Sequence, residues 1–199
     1  IEAAANQASA FGRENTVNAG AGQLAVGYKN KTTGDRAIAI GEGNDSQKED
    51  TITMGQYNTA SVGGGIAIGQ NNVANSGGSA GNTMIAIGRQ NEATAQDTVA
   101  IGREAKAKKD LSVAIGNRTE ATANAAIAIG TNGAPSNGNT YKTEASGFAS
   151  IAVGMQSEAK ASVATAIGGK SSATGTSATA VGHGATASEK ASVAAVSYT

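Results

Sequence analysis

A four-residue phrase, apolar–Ala–apolar–Gly, returns every fourteen residues along most of this chain and leaves it few folds to choose from. It reads Leu24-Ala25-Val26-Gly27, Ile38-Ala39-Ile40-Gly41, Ile66-Ala67-Ile68-Gly69, Ile85-Ala86-Ile87-Gly88 and Val99-Ala100-Ile101-Gly102. It continues as Val113-Ala114-Ile115-Gly116, Ile127-Ala128-Ile129-Gly130 and Ile151-Ala152-Val153-Gly154. Looser copies begin at Ser9, Ile52, Thr165 and Thr179, and a last one, Val193-Ala194-Ala195-Val196, lacks the glycine. Two intervals are longer than the rest: 19 residues from Gly69 to Gly88 and 24 from Gly130 to Gly154. Because the phrase resumes in phase, each insertion must leave and rejoin a continuing scaffold at one corner.

Within the phrase, large residues alternate with alanine, which is the period of a strand. The closing glycine allows a sharp corner. A second alternation follows, with small residues three and five positions later, as in Asn30 and Thr32, Asn58 and Ala60, or Ser157 and Ala159. Two short strands and two corners account for fourteen residues. The predicted fold is therefore all-β: a parallel β-roll, or solenoid, of about 13 fourteen-residue rungs, with like residues stacked on like. One domain is expected over residues 1–199, with loop insertions near 75–83 and 132–143. Stacking also puts Asn15, Asn30, Asn44, Asn58, Asn72 and Asn91 in one column. They either chain their amides by hydrogen bonds or sit in corners where asparagine tolerates a left-handed backbone.

Composition narrows the function. Aromatics are 3% and charged residues 15%, too few for an ordinary large-residue core or a highly charged disordered chain. The formal net charge is zero, which argues against nucleic acid as a partner. No run approaches eighteen apolar residues, so this segment is not expected to insert directly into a membrane. Cysteine is absent, which excludes disulfides and thiolate metal sites. His183 is the single histidine, and with no acid–base or nucleophile constellation around it no enzyme, metal or cofactor is expected. Left-handed β-helix acyltransferases are loosely similar in shape but use six-residue units. The glycine-rich stretches lack a following Gly-Lys-Ser/Thr and are read as corners. Asp45, Glu49 and Asp50 lack the spacing of a calcium loop.

A single coil is marginal. Ordering each residue costs about 1–2 kcal/mol of backbone entropy, against roughly 1.5–3 kcal/mol for each of two large aliphatics buried per rung. Further apolar burial is needed, and the column Ala39, Ala67, Ala86, Ala100, Ala114, Ala128, Ala152 and Ala166 offers a place where another backbone could approach. Three identical chains packed along it form a closed ring. The alternative is that alanine fills a crowded coil interior.

The phrase Ser112-Val113-Ala114-Ile115-Gly116, the period of fourteen and the small-residue second strand of Ser157-Glu158-Ala159-Lys160-Ala161 resemble the head repeat of trimeric autotransporter adhesins of the YadA-like kind. The resemblance implies a left-handed roll and a homotrimer on the bacterial cell surface. It implies anchoring in the outer membrane through a C-terminal region not present here. It also implies attachment to host extracellular matrix proteins or cell-surface receptors, and autoaggregation. A structural spacer that projects another binding domain is the alternative. Candidate ligand-binding residues are Pro135, Asn137, Asn139, Tyr141 and Lys142 of the longer insertion, since loops on a rigid scaffold often carry recognition. Arg103, Lys106 and Lys108 form a second candidate, a basic cluster that Arg89 and Arg118 could extend.

Overall fold

The computed structural model describes residues 2–3, 7–18, 20–75, 83–132 and 142–196. The chain divides into two compact units, Ile1–Asp97 and Thr98–Thr199, where the sequence suggests one domain. Both are parallel β-solenoids, together about 12 turns, and no helix occurs among the described residues. Each period folds as a long strand, a corner, a short strand and a second corner. In the first unit the long strands are Ser9–Arg13, Leu24–Tyr28, Ile38–Glu42, Ile52–Gln56, Ile66–Gln70 and Ile85–Arg89. Its short strands run from Glu2–Ala3 and Thr16–Val17 through Lys31–Thr32 and Asp45–Ser46 to Glu92–Ala93. In the second unit the long strands run from Val99–Arg103 to Val193–Ala195, and the short ones from Lys106–Ala107 to Thr186–Ala187. Long strands pair only with long strands and short with short, all in parallel.

Register follows the phrase. Ile38 pairs with Ile52, Ala39 with Thr53 and Gly41 with Gly55. The two long intervals do not disturb it. Ile66 pairs with Ile85 and Gly69 with Gly88 across the first, and Ala128 pairs with Ala152 across the second. Because Asn117 still pairs with Thr131 while Thr119 pairs with Thr143, the ten extra residues lie between 131 and 143.

The side chains inside the coil are small, and this corrects the expected packing. Ala39, Ala67, Ala86, Ala100, Ala114, Ala128, Ala152 and Ala166 are fully buried within the single chain. They face their own short strands, whose inward positions (Val17, Thr32, Ser46, Ala60, Ala74 and Ala93 in the first unit) are buried too. Alanine is therefore the lining of the roll, and no neighbouring chain can pack along that column. The cause is geometric. Fourteen residues closed into one turn bring the two sheets near enough that the facing strand positions take small side chains. The large aliphatics, Leu24, Val26, Ile38, Ile40 and their successors, point outward and stay half-exposed.

The same tightness fixes the glycines. Gly41 has φ +121°, and a Cβ on it would lie 2.0 Å from the carbonyl oxygen of Gly55 on the next turn. Neither the backbone conformation nor the space admits a side chain.

Most polar groups that enter the interior are paired, as burial favours, the hydroxyls of Thr119 and Ser150 being exceptions. The asparagine column is a ladder. Asn44 Nδ2 donates to Asn30 Oδ1 at 3.0 Å, to the carbonyl of Ile40 at 3.1 Å and to that of Gly55 at 2.8 Å. Asn58 repeats the pattern one turn on. The left-handed residue of this corner is mostly the one before the asparagine, such as Glu14, Lys29 or Tyr57. Thr53, the one break in the alanine column, bonds Ser46 Oγ at 2.8 Å across the interior. Buried Gln23 donates to the carbonyls of Asn18 and Gly34 at 2.9 and 2.7 Å.

Candidate functional site

With the interior closed to ligands, any recognition belongs to the outer surface. Its most extensive feature is apolar. Each long strand turns two side chains outward, and stacking in register makes two aliphatic columns per unit. In the first unit these are Leu24, Ile38, Ile52, Ile66 and Ile85 beside Val26, Ile40, Met54, Ile68 and Ile87. In the second they begin Val99, Val113, Ile127 and Ile151 beside Ile101, Ile115, Ile129 and Val153. A contiguous apolar face of this kind, rather than scattered exposed residues, marks a surface that meets another molecule. Sequence reasoning placed these residues inside and alanine outside. The signal that could have assigned them correctly is the second strand. Its inward residues are small at every turn, so the strand opposite must also present its small face.

The short strands present charge. In the second unit Lys106 pairs in register with Glu120, Glu120 with Glu144, and Glu144 with Glu158. Lys142 bridges two of them, with its ammonium 3.4 Å from Glu144 and in hydrogen-bond contact with Glu120. Partial burial pulls the pKa of Lys142 down, but the bond to Glu120 and the charges of Glu144 and Glu120 outweigh it, and the pKa is raised. Lys160 lies 2.7 Å from Glu158.

Arg103 ends its long strand and lies 3.7 Å from Glu104, which also accepts a hydrogen bond from Arg118 Nε at 2.7 Å. Arg103, Lys106 and Lys108 do fall on one turn, as the spacing implies, with Lys108 exposed. Carboxylates interleave with them, so the surface there is mixed in sign rather than basic. Of the loop candidates only Lys142 is described; Pro135, Asn137, Asn139 and Tyr141 lie outside the described residues.

The family model for the YadA head domain repeat matches residues 24–44, 85–105, 107–132 and 173–195. The chain carries YadA head repeats. These matches support a YadA-like head domain of the kind found in trimeric autotransporter adhesins. No curated protein matches the chain. The matched stretches include Ile38-Ala39-Ile40-Gly41, Val113-Ala114-Ile115-Gly116 and Thr179-Ala180-Val181-Gly182. The family pattern thus coincides with the alanine lining, the outward aliphatics and the glycine corner.

In this YadA-like head, His183 is exposed on the turn after Val181. Among the described residues no group of three or more His, Cys, Asp or Glu could hold a metal ion. Asp45 instead accepts a hydrogen bond from Gln47, and Asp50 one from Arg36.

Proposed function

We propose that this chain is the ligand-presenting head of a bacterial surface adhesin. Three copies pack side by side through the outward aliphatic columns. The assembly attaches to host extracellular matrix proteins or cell-surface receptors and promotes autoaggregation. A C-terminal region beyond this sequence anchors it in the outer membrane. The observation that carries the reading is the pair of columns exemplified by Ile38 and Ile40. They are half-exposed in the single chain, while its interior is lined mostly by alanine and other small side chains. A core of methyl groups contributes little per turn, and burying two large aliphatics per turn against neighbours adds roughly 1.5–3 kcal/mol for each side chain fully covered. Parallel copies would also repeat every surface residue, so weak contacts gain avidity.

Capture assays test the adhesive role. The isolated head is passed over immobilised collagen, fibronectin and laminin and over host cells, beside the variant Ile40→Lys/Ile115→Lys. Saturable binding by the wild type, lost in the variant, supports a multivalent adhesin. A head that oligomerises but binds none of these surfaces is a spacer for another domain.

A further inference from the structure

The two tyrosines among the described residues, Tyr28 and Tyr57, meet at one corner of the first unit. Tyr28 ends its long strand and pairs in register with Arg13 on the preceding turn and Glu42 on the following one. The Tyr57 amide donates to the carbonyl of Glu42 at 2.9 Å, and that of Gly43 to the carbonyl of Tyr28 at 2.9 Å. The corner is thus a continuous stack.

The Cδ1–Cε1 edge of the Tyr57 ring comes so close to Gly43 that a Cβ there would stand 2.5 Å from both atoms. The equivalent corner positions of the first unit are Glu14, Lys29, Tyr57, Asn71 and Gln90. The Tyr57 hydroxyl donates to Glu42 Oε1 at 3.0 Å, and Glu42 Oε2 accepts from Gln56 at 3.0 Å. The residue is still 53% exposed. One ring edge abuts backbone and the hydroxyl is tied, so the half-exposed ring is held in place.

On the second and third turns before it, the Lys29 ammonium stands 4.9 Å and the guanidinium of Arg13 4.6 Å from the centre of the Tyr28 ring. Both cations also reach Glu14, at 3.2 and 3.7 Å. Hydrogen bonds from Lys29 and Arg13 lower the Tyr28 pKa, while the Glu42 bond raises that of Tyr57. Exposed pairs of this sort contribute little to stability, so the fold itself gains little from collecting them.

We propose that this corner is a binding subsite for an acidic saccharide. The open face of Tyr57 takes the apolar C–H face of a pyranose, to which the electron-rich ring is attracted. Glu42 and Gln56 exchange hydrogen bonds with sugar hydroxyls. Arg13 and Lys29 exchange their contacts with Glu14 for a carboxylate or sulfate, the charge-assisted contact that fixes orientation. Because the platform is already ordered, a ligand loses little freedom of the protein on binding. The inference rests on the adhesin reading and names a ligand class for one part of that surface.

Saturation-transfer NMR and titration of the folded head with 3′-sialyllactose, a sulfated heparin disaccharide and lactose test it, the first two separating carboxylate from sulfate. At least one acidic probe is expected to bind saturably. Tyr57→Ala should weaken it by about tenfold or more. Arg13→Gln/Lys29→Gln should reduce it to the level of lactose, and Tyr57→Phe, which keeps the platform, should retain it. Circular dichroism establishes that each variant keeps the wild-type fold. Absence of binding by both acidic probes, or acidic binding unchanged in Tyr57→Ala, overturns the proposal. Matrix-protein capture that persists in that case leaves the adhesin reading standing without this subsite.

Discussion

Asn30 Oδ1 accepts two hydrogen bonds from Asn44 on the next turn, one from the side-chain amide at 3.0 Å and one from the backbone N–H at 3.1 Å. Asn44 in turn serves Asn58 in the same way. The amide supplies two N–H donors and an acceptor oxygen at one buried position, where a serine or threonine hydroxyl has a single donor.

Asn44→Ala therefore removes a link on both sides and leaves the Asn58 backbone N–H and the carbonyls of Ile40 and Gly55 short of partners. The expected loss is about 2–4 kcal/mol. Asn44→Asp should lose at least as much, because a carboxylate cannot donate to Asn30 Oδ1. Denaturant melts at fixed protein concentration measure both.

Gly41→Ala and Gly184→Ala separate space from backbone conformation. Both glycines have positive φ, +121° and +69°. A Cβ at 41 meets the Gly55 carbonyl oxygen at 2.0 Å, whereas one at 184 meets nothing within 4 Å. The first substitution should cost about 3 kcal/mol or more and the second about 1 kcal/mol, read from the same melts.

Val163 is a β-branched residue at φ +58° and is 52% exposed. It gains little burial in the chain and pays for a backbone conformation that asparagine adopts readily. Val163→Asn should raise stability by about 1 kcal/mol, seen as a higher denaturation midpoint.

Arg36 grips Asp50 through two hydrogen bonds, at 2.5 and 2.8 Å, and the Asp50 pKa is lowered from its ordinary 3.8 by that contact. The folded value lies below the unfolded one. The stabilisation is thus present above the ordinary carboxylate range and is lost as pH falls through the folded pKa. Both groups are exposed, so the effect is small and screened by salt. In an NMR titration Asp50 should protonate below the usual range in the wild type and return toward it in Arg36→Gln.

Much of this was legible in the sequence. The spacing of Gly41, Gly55 and Gly69 set the turn length, and the alternation in Ile38-Ala39-Ile40 set the strand. The in-phase return at Ile85 and Ile151 placed both insertions at a corner. The asparagine column was visible as a column, although not whether it formed a ladder. Which face lay inside was misjudged because hydrophobicity ranks isoleucine above alanine for burial, whereas the width of the roll ranks side chains by volume. The Tyr28–Arg13 and Tyr57–Glu42 contacts escaped because they join neighbouring turns at a corner. The signal was that two of the four tyrosines fall two turns apart.

The central claim is that the outward aliphatics, such as Ile40 and Ile115, are covered by other copies of the chain. Sedimentation equilibrium of the isolated head, with and without Ile40→Lys/Ile115→Lys, measures it directly. The account predicts a trimer for the wild type and dissociation in the variant. A wild-type head that sediments as a stable, folded monomer at micromolar concentration would contradict it.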